Sequence, residues 1–164
     1  MLEAYRQHTA DRAALGIPPL PLDAEQTSAL CELLQHPPAG EEANLIVLLR
    51  DRVPPGVDPA AYVKAGFLTS IVTGRIACPL INKIESIELL GTMLGGYNVR
   101  SLIDLLQSDD TELARAAVTA LSKIVLVYDA FNDVWELSQT NRYAKQVIDA
   151  WANAEWFTLS LIHI

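Results

Sequence analysis

A chain of 164 residues that is 51% hydrophobic has the material for one substantial core and is too apolar to stay disordered. Its net charge of −8, with a pI near 4.7, repels nucleic-acid phosphate and anionic lipid, so neither is an expected partner. Two distant cysteines, Cys31 and Cys78, read as thiols of a reducing, cytoplasmic compartment, and runs such as "LIVLL" (45–49) fall far short of the ~20 residues a membrane helix needs.

The opening "MLEAYRQHTADR" lacks an apolar stretch and is not expected to be a targeting segment. Helical periodicity predicts a first helix over Leu2 to Leu15, stopped by Gly16 ahead of the extended "IPPLPL". Asp23 with Gln26 three residues on spells a capping box for a second, whose buried stripe is Thr27, Leu30, Cys31 and Leu34. A third starts near Glu41, with Glu41 and Glu42 at the positive end of its dipole and Arg50 and Arg52 at the negative end. Asp58-Pro59 opens a fourth, "PAAYVKAGFLTSIVTG", apolar on most sides and expected to be central. Its Gly66, Ser70 and Gly74, four apart, form a smooth stripe on which a neighbouring helix is expected to approach closely.

Asn82 with Glu85 starts a fifth helix that runs into "ELLGTMLGGYNVRSLIDLL" (88–106). There Gly95 and Gly96 are expected to supply the positive φ that ends a helix, and Asn98 to cap the sixth, so that these three form a structural turn. Ser108 or Asp109 is expected to cap a seventh, with Leu113, Ala117, Leu121, Ile124 and Val125 inward. An eighth covers about Asp129 to Leu137. Thr140 opens a ninth, with Tyr143, Val147, Ala150, Trp151 and Ala154 on one side. All nine prolines precede residue 80, and no stretch alternates long enough to read as a strand. The fold class is all-α, with eight to nine helices. Pairs beginning near Asp23, Asp58, Asn98 and Asp129 recur at roughly 30–40 residues, the period of a HEAT-like stack of antiparallel helical pairs. A compact orthogonal bundle accommodates the same helices.

Chemistry is hard to find. Gly91 and Gly96 have the spacing of a phosphate loop, but Tyr97-Asn98 stand where lysine and serine or threonine belong, and a helix rather than a strand precedes them. His8, His36 and His163 lie in three separate regions, and Cys31 and Cys78 lack the close partners that zinc or iron–sulfur sites use. Asp129, Asp133 and Glu136 share a helical face that reads as solvated acid rather than a cation site. Glu112–Arg115 and Lys145–Asp149 read as surface pairs. No nucleophile sits on a positioning turn. Neither catalytic nor cofactor-binding nor metal-binding residues are therefore assigned. Tyr128, Phe131, Trp135, Tyr143, Trp151, Trp156 and Phe157 cluster late in the chain. They form either the packing between the last two helices or, through Trp135, Tyr143, Trp151, Trp156 and Phe157, a docking surface.

Several stretches carry a resemblance: "ALGIPPLPLDAEQTSAL" (14–30), "PPAGEE" (37–42), "RVPPGVDPAAYVKAGFL" (52–68), "IELLGTMLGGYN" (87–98) and "YAKQVIDAWANAEWF" (143–157). In order and without large gaps, they resemble the N-terminal region of the bacterial aconitase B family over residues 1–157. The resemblance implies a HEAT-like domain at the front of a longer lyase. That lyase interconverts citrate and isocitrate and acts on 2-methylisocitrate, with a [4Fe–4S] cluster held by three cysteines in later domains. It implies packing against those catalytic domains, a part in the substrate channel, and dimerisation. The family is also credited with mRNA binding, which the acidic balance argues against for this domain alone. After Phe157 the sequence departs from the family, and "TLSLIHI" (158–164) is expected to be an altered or truncated end. The competing expectations are a free-standing helical adaptor for a partner peptide and, behind it, a small helical enzyme.

Overall fold

In a computed structural model, residues 1–124 and 130–154 are described, and among them every regular element is helical. Helix α1 (Leu2–Ala14) ends at Gly16, whose φ of +70° only glycine adopts readily. Helix α2 (Ala24–Gln35) carries the predicted box: Asp23 Oδ1 accepts from the Gln26 N–H at 2.8 Å, and Gln26 Oε1 accepts from the Asp23 N–H at 3.1 Å. The stripe Thr27, Leu30, Cys31 and Leu34 is buried as the spacing requires.

Helix α3 (Glu42–Val47) widens into a π-helical segment over Leu48–Arg52. The wider winding lets the consecutive Leu48 and Leu49 both face the core and carries Arg52 back toward α1. Helix α4 (Pro59–Val72) is the most apolar element, burying Ala60, Ala61, Ala65, Phe67, Leu68, Ile71 and Val72, and Lys64 with them. Among the described residues, no neighbouring helix closes on the small-residue stripe, contrary to expectation. Gly66 and Gly74 are exposed, and a Cβ built on Gly66 meets nothing within 4 Å. Bulkier residues on the other faces decide which side is buried, and the glycines are left toward solvent.

Helix α5 (Lys83–Leu90) has its own box, Asn82 with Glu85, but stops at Gly91, four residues before the glycine pair expected to end it. Helices α6 (Val99–Leu105), α7 (Thr111–Leu121), α8 (Phe131–Ser138) and α9 (Arg142–Ala152) follow. Two caps lie one or two residues further along the chain than expected. Asp110, rather than Ser108 or Asp109, accepts from the Glu112 and Leu113 N–H groups. Asn141, rather than Thr140, accepts from those of Tyr143 and Ala144. Asn141 also donates to the Leu106 carbonyl at 2.8 Å, a second use that threonine lacks the amide for. Asp129 and Val125 lie outside the described residues.

The pairs α2/α3, α4/α5, α6/α7 and α8/α9 pack internally, and α2 on α4, α5 on α7 and α7 on α9 join successive pairs in chain order. That sequential packing is compatible with a HEAT-like stack. One core runs through it, from Leu22 and Leu30 to Val147 and Trp151.

Candidate interaction surface

The stretch between α5 and α6 is built against a loop far upstream. Gly91 lets α5 lie close to α7, since a Cβ there would meet the Ala120 Cβ at 2.9 Å. Gly96 takes φ +86°, as expected of the pair. Gly95 does not. It is needed instead because a Cβ would overlap the Gly56 carbonyl and lie 3.0 Å from the Val57 nitrogen. The Leu94 N–H donates to the Pro55 carbonyl at 2.7 Å, and the Tyr97 hydroxyl donates to the Val57 carbonyl at 3.0 Å.

Asn98 stands at the first position before α6, but its side chain does not cap that helix. The amide is fully buried and donates backward, to the Leu90 carbonyl at 2.6 Å and the Met93 carbonyl at 3.3 Å, leaving its Oδ1 without a partner. Its αR backbone does not present the side chain to the N–H groups of α6. So Gly95, Gly96 and Asn98 form a turn, but a clasp between loops rather than a simple helix stop. On top of the clasp stand Val57, Tyr62, Leu94 and Tyr97, exposed by 73, 65, 67 and 40%, with the two tyrosine rings edge to face at 5.3 Å. No pattern in the sequence marked this patch, because its members come from different loops and one helix.

The late aromatics divide. Trp151 is buried, its indole N–H donating to the Leu121 carbonyl at 2.9 Å, and Tyr143 is buried beneath Arg142, whose guanidinium lies 4.7 Å from the ring centre. Trp135 is half exposed and stacks on Phe131, which also stacks on Trp151. The described part of the cluster thus contains both inter-helix packing and an outward face. Tyr128, Trp156 and Phe157 lie outside the described residues.

The groups with chemical potential are dispersed. Cys31 is buried, which pushes its thiol up to about 12, and Cys78 donates to the Leu34 carbonyl at 3.3 Å. Lys64, 1% exposed, is pushed down to about 8 by burial, with Asp51 opposing the shift and Arg50 adding to it. The apolar periodicity of α4 gave no sign of this lysine's burial. His8 Nε2 accepts from the Leu20 N–H at 3.0 Å. Asp133 pairs with Arg100 at 2.8 Å, Asp129 and His163 lie outside the described residues, and no group of three or more metal-ligating side chains occurs among those described. The expected pairs Glu112–Arg115 and Lys145–Asp149 do not form. The ion pairs among the described residues are Arg6 with Glu3 and Glu41, and Arg100 with Asp104 and Asp133. A groove of about 520 Å³ runs between α5 and α7, past Glu88, Thr92, Arg115, Thr119 and Lys123. No helix among the described residues is long and apolar enough to cross a membrane.

Comparison with known proteins gives a match to the family described as the aconitate B N-terminal domain over residues 4–157. Aconitate hydratase B of Synechocystis is 68% identical over 157 residues, covering 96% of this chain and 18% of that protein. The Escherichia coli protein of the same name is 59% identical, with the same coverages. The Helicobacter pylori protein is 46% identical over 156 residues, 95% of this chain and 18% of its own length. The chain therefore spans about 18% of the length of the curated relatives it matches.

Proposed function

The chain belongs to the aconitate B N-terminal domain family, and from that membership we propose that it serves as the leading accessory domain of a multidomain aconitate hydratase. Its work on this reading is to pack against the catalytic part, to help shape the passage of substrate, and to mediate association between copies. The citrate–isocitrate conversion belongs to the rest of the enzyme. The carrying observation is identity of 46–68% along nearly the whole chain to relatives in which this stretch is under a fifth of the length.

The physical reading supports that division of labour. The [4Fe–4S] cluster implied for the family needs three thiolates, and this chain has two cysteines. Cys31 is buried with its proton held tightly, and Cys78 is half-buried with its thiol engaged by a carbonyl. These residues do not fit the cluster, and no step of the reaction is routed through them. A net charge of −8 supports placing any messenger-RNA contact elsewhere in the parent enzyme. The groove between α5 and α7 favours a second reading, a helical adaptor that binds a partner segment along its surface.

Anaerobic reconstitution of the isolated chain with iron and sulfide, followed by a hydratase assay on citrate and isocitrate, tests the proposal. The expected result is a colourless, inactive protein beside a full-length enzyme that gains both absorbance and turnover. Turnover by the isolated chain would overturn it.

A further inference from the structure

Among the described residues, one set of exposed apolar side chains stands on loops tied together by hydrogen bonds. Val57, Tyr62, Leu94 and Tyr97 sit where the α3–α4 and α5–α6 connections meet, and those are the links between successive helical pairs, on one edge of the stack. Loops that carry exposed apolar groups are ordinarily loose, and ordering them on binding costs free energy. Here the two loops are already bonded to each other. The Leu94 N–H and the Tyr97 hydroxyl bond to the Pro55 and Val57 carbonyls, Gly95 admits the Gly56 backbone, and the buried Asn98 amide ties down the turn from below.

Two edge-to-face tyrosines, with exposed Val57 and Leu94 on the same two connections, bring together aromatic and aliphatic groups of the kind enriched at interface centres. An edge of locked loops suits a rigid neighbour, unlike the groove between α5 and α7, which suits an extended segment. In the relatives, more than four-fifths of the chain lies outside the stretch matched here, so a covalently attached occupant is present at high effective concentration. We infer that this edge is the docking surface for the catalytic remainder of the longer enzyme. The inference rests on the accessory-domain reading and adds to it which face is used and which side chains anchor it.

Hydroxyl-radical footprinting of the full-length enzyme tests this without any variant that risks misfolding. Leu15, 73% exposed and outside the patch, is the internal reference. The expected result is loss of reactivity at Tyr62, Leu94 and Tyr97 while Leu15 remains reactive, unchanged when the enzyme is diluted tenfold. Patch residues as reactive as Leu15 once each is scaled to the intrinsic rate of its side chain, with protection found on another face of the domain, would overturn the inference and leave the accessory-domain reading standing. No protection on any face would overturn both. Protection that disappears on dilution would assign the patch to a second copy and overturn the inference.

Discussion

The α1 arm and the α4/α5 centre are held by different physics. Helix α1 buries a single residue, Tyr5, and is fastened by polar contacts. Arg52 Nε donates to the Tyr5 hydroxyl at 2.7 Å and its Nη2 to the Pro19 carbonyl at 2.6 Å, while Arg6 pairs with Glu41 at the surface. Helix α4 buries eight residues and meets α2 on one side and α5 on the other. Burying a large aliphatic side chain contributes roughly 1.5–3 kcal/mol, whereas an exposed ion pair contributes about 1 kcal/mol at most. The centre therefore sets global stability, and the arm is a locally fastened addition that can loosen alone.

The sharpest way to break that contrast is at the clasp. Gly95→Val forces the Gly56 backbone away and should cost ~3 kcal/mol or more in denaturant unfolding. Gly96→Ala, at φ +86° but with open space around it, should cost only about 1–2 kcal/mol, from backbone strain. Equal losses at the two positions would refute the separate roles assigned to them.

Lys64→Met tests the centre from the opposite direction. Because Lys64 is pushed down from 10.5 to about 8, the unfolded chain binds its proton more tightly than the folded one. Stability therefore rises with pH between about 8 and 10.5, and below about 8 the folded state bears the full penalty of roughly 3 kcal/mol. The methionine variant should be stabilised near neutral pH by up to about that amount and should lose the alkaline slope. Stability profiles of the two proteins that run parallel in pH would contradict this account of the buried amine.

At the arm, Arg52→Ala should cost roughly 1–3 kcal/mol, since it removes charge-assisted bonds to half-buried acceptors. Native-state hydrogen exchange should speed up in α1 and leave α4 and α5 unchanged. Glu41→Gln should have the smallest effect. Hydrogen bonds from Arg6, then from Asn44, hold the Glu41 carboxyl below its usual range. The stabilisation is therefore present above the ordinary carboxylate pKa and is lost as the pH falls through the lowered one. Following Glu41 by NMR in an acid titration checks the direction of that shift.

The sequence spelled out whatever local geometry decides. Asp23 with Gln26 and Asn82 with Glu85 are reciprocal bonds between neighbours three apart, and both boxes form. The run Ser108-Asp109-Asp110 offers three adjacent oxygens, and only the path of the chain selects Asp110. Asn98 was legible as a cap by position, but its buried amide is taken by carbonyls at the end of α5 and in the turn that follows. The need for glycine at 95 comes from Gly56 in another loop, so no reading of residues 88–106 alone could reveal it. Lys64 was hidden for a related reason. A helix apolar on most sides gives no signal of which polar residue is enclosed. The patch over the clasp was illegible because tertiary contact, not spacing, assembles it.

The proposal that this domain acts by docking is tested by mixing the isolated domain with an enzyme that lacks it. Sedimentation velocity of the mixture should show a faster 1:1 species that neither part forms alone. Two independent boundaries, at concentrations well above those of the assembled enzyme, would contradict the claim.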